Sequence, residues 1–159
     1  MWTTLIAVLG TLGGAVTTGL VQHLADRSRK REHARRDLAD AIEGLLAAIV
    51  THREQRWLRV AATREARPDS PEARERRYAA RSQVTRARDR LAMTTNDAEL
   101  LAAAQAAIDT TNALGDIALG TVVDGRFAPE IEQALRDARD VSRQAHTALR
   151  ELGAARVHA

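Results

Sequence analysis

The 159 residues contain no cysteine, which removes disulfide frameworks, cysteine-based zinc sites and thiolate nucleophiles. Three prolines and 3% aromatic residues leave few helix breakers and little bulk to wall a large ligand cavity. No HExxH pair, GxSxG elbow or GxxxxGK[ST] loop occurs, and the one lysine, Lys30, falls in a helical stretch. The usual equipment for metal-dependent, serine-dependent and nucleotide hydrolysis is therefore missing. Among the histidines His23, His33, His52, His146 and His158, none has metal-ligand spacing. His52 and His146 lie on helices that could face each other, as a pair without a third ligand. Ser142 and His146 are one turn apart but no strained nucleophile turn accompanies them. Glu130 and Glu132 sit where acids favour the start of a helix. The expectation is a non-enzymatic protein with no cofactor, no metal and no small-molecule substrate.

Charge is also missing from one place: no charged side chain precedes Asp26. The centre of that stretch, Leu5 to Val21, consists of Leu, Ile, Val, Ala, Gly and Thr. Crossing a hydrocarbon core takes about 20 apolar residues, so residues 1–25 are long enough. A signal peptide would carry a positive leader and a small-residue cleavage site. Here the basic residues follow instead: Arg27, Arg29, Lys30, Arg31, Arg35 and Arg36, against Glu32 alone. Positive residues beside a span stay on the cytoplasmic side. The expected arrangement is a single-pass anchor at 1–25 in the cell membrane, N-terminus outside, with 26–159 as a cytoplasmic domain. Trp2 would sit at the outer interface. The alternative is a buried helix of a soluble bundle. Within the segment, Gly10 and Gly14 form GxxxG, and Ala7, Thr11, Ala15 and Gly19 recur every four residues. Small residues at that spacing let helices approach closely, which makes Gly10, Gly14 and Gly19 candidates for helix association.

What is abundant is Ala, Leu and Arg, a helix-forming mixture. The net charge of +3 conceals an asymmetry. Residues 26–90 carry 18 basic and 11 acidic side chains, residues 91–159 carry 6 and 10. Basic segments beside an anionic leaflet adhere to it, and a basic half can also pair with an acidic half in a folded-back bundle.

The pattern predicts an all-α fold. Leu38, Ile42, Leu45, Ile49, Trp57 and Val60 form one stripe, so a long helix leaves the anchor and ends at "RPDSP", residues 67–71. Ser70 followed by Pro71 is an N-cap with proline in the first turn. A second helix, 71–92, has a narrow stripe of Tyr78, Ala80, Val84, Ala87 and Leu91. Asn96 with Glu99 resembles a capping box for a third helix over 97–119, in which Gly115 favours a kink or fraying. Asp124-Gly125 marks a turn, with Val122, Val123 and Phe127 folding over the bundle end. Pro129 opens the last helix. Ile131, Leu135, Ala138, Val141, Ala145, Leu149 and Leu152 follow coiled-coil-like heptad spacing, and Gly153 is expected to end it. Short connections favour antiparallel neighbours, so about three helices should pack along the long one.

The second helix carries Arg74, Arg76, Arg77, Arg81, Arg86, Arg88 and Arg90. Arg74, Arg77, Arg81 and Arg88 are candidate phosphate contacts. The bland account is a solvated face, or one paired with acids on the third and fourth helices, and it is preferred because stacking aromatics are scarce.

The opening "MWTTLIAVLGTLGGAVTTGLVQHLADRSRKREHARRDLADAIEGLLAAIVTHREQRWLR" resembles KilB-like proteins of actinobacterial, mainly Streptomyces, plasmids and integrated elements. An immediate apolar span, a basic segment and an apolar helix closing in "HREQRWLR" carry the resemblance. It covers roughly the first sixty residues; beyond them the likeness is only Ala- and Arg-rich helix. It implies membership of the machinery that spreads conjugative plasmids between mycelial compartments, with no site residues to carry over. The expected partners are the membrane, a second copy of the chain, or other membrane proteins of a transfer apparatus, ahead of nucleic acid. A membrane-tethered nucleic-acid binder and a holin-like pore former are the other readings.

Overall fold

Alanine, leucine and arginine form helix well because they lose little conformational freedom in it. In the computed structural model they do so wherever proline, glycine or a capping side chain does not intervene. The structure describes the backbone of residues 2–158 and the side chains of residues 27–158. The regular elements there are four helices: α1 (Trp2–Arg64), α2 (Pro71–Thr94), α3 (Ala98–Asp116) and α4 (Pro129–His158). The chain divides into two units, Met1–Asp37 and Leu38–Ala159. Residues 1–25, with Trp2, Gly10, Gly14 and Gly19, lie outside the described side chains. Among the described residues no helix is long and apolar enough to cross a membrane.

In the first unit, the cluster from Arg27 to Arg36 is exposed throughout. Arg36 pairs with Glu32 one turn back at 2.9 Å.

In the second unit the four helices alternate in direction. Ile42 of α1 lies against Gly153 of α4 and Arg64 pairs with Glu132 at 2.6 Å, so α1 and α4 run antiparallel. Arg156 pairs with Asp97 at 2.6 Å and with Glu99, while Thr111 meets Ser142 at 3.1 Å. Hence α3 and α4 are antiparallel too. The larger core joins Ile42, Leu45, Ile49, Leu91, Leu100 and Leu149 with small residues such as Ala104 and Ala107. A second cluster of Val60, Leu114, Phe127 and Leu135 closes the other end. Burying each such side chain contributes about 1.5–3 kcal/mol.

Helix ends are fixed by identifiable devices. Ser70 accepts from the Ala73 amide at 3.2 Å with Pro71 opening α2, as its residue types require. At the end of α1, Ala66 takes φ +52°. Its amide donates to Thr63 at 3.1 Å and that of Arg67 to Ala62 at 2.8 Å. This is a Schellman closure with alanine at the position that glycine usually fills. Asp124 and Gly125, at φ +48° and +74°, make the turn of a minimal hairpin in which Val123 and Arg126 exchange both backbone bonds, at 2.9 and 3.0 Å. Positive φ at both central residues is what a type I′ turn needs.

Several expectations are corrected. The cap of α3 is Asp97, accepting from Leu100 at 3.0 Å, not Asn96, because only the residue next to the first helical turn can reach its amides. Gly153 does not end α4. It is buried, and a Cβ there would lie 2.9 Å from Ile42 Cγ2, so the missing side chain permits close approach. The buried line of α4 is Leu135, Ser142, Leu149 and Gly153, while Val141 is 49% exposed; the seam prefers a hydroxyl that meets Thr111. Tyr78 is 69% exposed and Val123 is exposed, since each sits off the inward line of its element. Gly115 shows no mid-helix break, but α3 ends one residue beyond it, at Asp116 and short of 119, as the fraying alternative expects; Gly115 also leaves room for the Arg56 guanidinium.

Candidate functional site

The α1–α2 connection is short, so residues at similar distances from it are brought side by side. From α1 come His52, Arg56 and Arg59, at i, i+4 and i+7. From α2 come Arg74, Arg77, Tyr78 and Arg81, spaced along one face of that helix. These residues, with Asp69 from the turn, line a cleft of about 320 Å³. Five arginines share it with one carboxylate.

That carboxylate is already engaged. Arg77 donates to both Asp69 oxygens at 2.6 Å and Arg74 stands 3.9 Å away. Arg77 holds the Asp69 carboxyl below its ordinary value, mainly through this hydrogen bonding. Among the described residues no carboxylate lies within 4 Å of Arg56, Arg59 or Arg81. Burial lowers the proton affinity of the Arg56 guanidinium; Asp116 opposes this, and Arg59, Arg81 and Arg77 add repulsion. Arginine nonetheless stays charged, so the cleft holds an excess of positive charge at close quarters. Arg56 Nε is buried with no hydrogen-bond partner among the described residues. His52, 2% exposed, forms the floor. Its Nε2 is 3.2 Å from Asn112 Oδ1, and burial holds its proton affinity below the ordinary value.

The adjoining cleft between α2 and α3 carries Arg81 and Arg88 with Gln105 and Asn112. Arg74, Arg77 and Arg81 are thus brought together, and Arg88 continues the line. Arg74 to Arg88 spans about 21 Å along the helix. The expected pairing of α2 arginines with acids of α3 and α4 does not occur among the described residues. Those acids serve α1 and α4, as Glu132 holds Arg64 and Asp97 with Glu99 holds Arg156. Sequence reasoning missed Arg56, Arg59 and the turn acid. The available signal was a basic i, i+4, i+7 series just before "RPDS" and an i, i+3, i+7 series, Arg74, Arg77 and Arg81, just after it.

His52 and His146 do not form a pair. His52 faces α3, whereas His146 lies near the Leu46 carbonyl and Arg53. Ser142 is fully buried against Thr111. Among the described residues no group of three metal-ligating side chains is gathered. Arg139 is used structurally, 5.9 Å over the Trp57 ring.

A family model described as KilB plasmid transfer protein matches residues 39–157. The chain belongs to the KilB plasmid transfer protein family. The match spans all of the α1–α2 cleft, and runs well beyond the first sixty residues on which the resemblance was read. Protein KilB of Streptomyces lividans is 43% identical over 88 residues, covering 54% of this chain and 59% of that protein. The aligned part is therefore less than two thirds of the length of this KilB relative. No solved structure matches the chain.

Proposed function

We propose that the chain serves plasmid transfer or intramycelial spread as a non-enzymatic, single-pass membrane protein. Its bundle, residues 26–159, mediates assembly on the cytoplasmic side of the cell membrane. Membership of the KilB family, on a match over residues 39–157, is the observation that carries the transfer role. The anchor reading is supported by the uncharged run over 1–25 and by the exposed basic flank from Arg27 to Arg36, arranged as the positive-inside rule requires. Gly10, Gly14 and Gly19 would supply the face on which a second copy, or another membrane protein of the apparatus, packs.

Two measurements test this. Membranes from cells making the full chain are washed at alkaline pH; retention in the pellet is expected, and release into the wash contradicts the anchor. A plasmid carrying the coding sequence is compared with one from which it is deleted. Reduced spread is expected, and unchanged spread contradicts the role.

A further inference from the structure

The cleft between α1 and α2 sets a surplus of exposed arginine beside an exposed aromatic ring. The exposed Arg59 and Arg81 converge there, with no carboxylate within 4 Å of either among the described residues. Arg56 stands behind them, its guanidinium packed on Gly115 of α3. Tyr78, the single tyrosine of the chain, stands at the rim with 69% of its surface exposed. An exposed aromatic between arginines one turn to either side, Arg74 and Arg81, offers a flat ring beside a row of cations. A phosphodiester backbone meets the cations, and an unstacked base meets the ring.

We infer that this cleft binds single-stranded nucleic acid, with backbone phosphates on Arg59 and Arg81 and a base stacked on Tyr78. The concave shape favours a single strand over a duplex, because a ring at the rim can stack only on a base that has left its pair. The line continues along α2 to Arg88 beside Gln105 and Asn112, which extends the track for the strand. The inference goes beyond the assembly role and does not depend on the anchor.

The test uses the full chain in zwitterionic micelles and a labelled 20-nucleotide oligothymidine at near-physiological salt. A duplex of equal length and phosphatidylglycerol vesicles are run as further arms. The variant R59E/R81E reverses two exposed cleft charges. R86E/R90E makes the same change in net charge on the part of α2 that lines a different cleft. All four side chains are exposed, and circular dichroism checks that each variant folds. R59E/R81E should weaken oligothymidine binding about tenfold or more, and R86E/R90E by less than about threefold. Tyr78→Ala should weaken it about fivefold. Equal losses in the two double variants would reduce the effect to net charge and overturn the site. Tighter binding of the duplex would overturn the single-strand assignment. Vesicle retention lost in R59E/R81E with oligothymidine binding unchanged would make it a lipid headgroup site instead.

Discussion

The α3–α4 seam and the α1–α2 cleft are built from the same few residue types and do opposite things with them. In the seam, charges are matched: Arg156 lies on Asp97 and Glu99, and the buried hydroxyls Thr111 and Ser142 satisfy each other at 3.1 Å. Leu100, Ala104, Ala107, Leu135 and Leu149 fill the space around them. In the cleft, five arginines face one aspartate, and the apolar stripe of α2 narrows to Ala80, Val84 and Leu91. One region spends its charged groups on holding the bundle. The other leaves Arg59 and Arg81 with no carboxylate within 4 Å among the described residues, which is where the inferred strand would bind.

Breaking the seam should therefore cost most. Leu149→Ala removes a fully buried side chain and should destabilise the bundle by about 2–5 kcal/mol in denaturant titrations. Thr111→Val strands the Ser142 hydroxyl and should cost about 1–3 kcal/mol. Ser142→Ala should cost less, because Thr111 still donates to the Ala107 carbonyl at 2.9 Å. Equal costs would mean that the pair does not organise the seam.

Acid sharpens the contrast through the buried His52 and the half-buried His146. Burial lowers the proton affinity of His52, with Arg56 and Arg81 adding to it and the Asn112 bond opposing. The same cause acts on His146, with Arg53 and Arg150 adding and the Leu46 carbonyl opposing. The unfolded chain takes up these protons near pH 6.5 while the folded one resists. The stability is thus complete above about pH 6.5 and is lost as pH falls below it. The thermal midpoint should drop between pH 7 and pH 5, and His52→Asn should flatten that drop.

A smaller effect lies in the turn that sets the cleft. Ala66 occupies a left-handed position at φ +52°, which costs an alanine about 1 kcal/mol relative to glycine. Ala66→Gly should raise stability by up to that amount, and a loss would mean that the turn is not strained there.

Much of this was legible in the sequence. Ser70-Pro71, Asp124-Gly125 and Pro129 act through local chemistry that one or two residues determine, and the structure places them as read. The stripe of α1 follows helical period and is buried as expected. What was not legible depends on which neighbour an element meets. Val141 and Ser142 differ by 100° around α4, and only the presence of Thr111 opposite selects the serine. Gly153 reads as a helix end until Ile42 is seen against it. Arg56 and Arg59 become part of a cleft only when the turn carries α2 beside them. Tyr78 suits an apolar stripe in composition, but its angular position leaves it outside.

The most direct test of this division of labour is the salt dependence of oligothymidine binding by the full chain and its two double variants. Each phosphate neutralised on a single strand contributes about 0.7 to the slope of log K against log salt concentration. The account predicts that R59E/R81E flattens the slope by about 1.4 while R86E/R90E leaves it near that of the unsubstituted chain. A slope unchanged in R59E/R81E, or flattened equally in both, would contradict it.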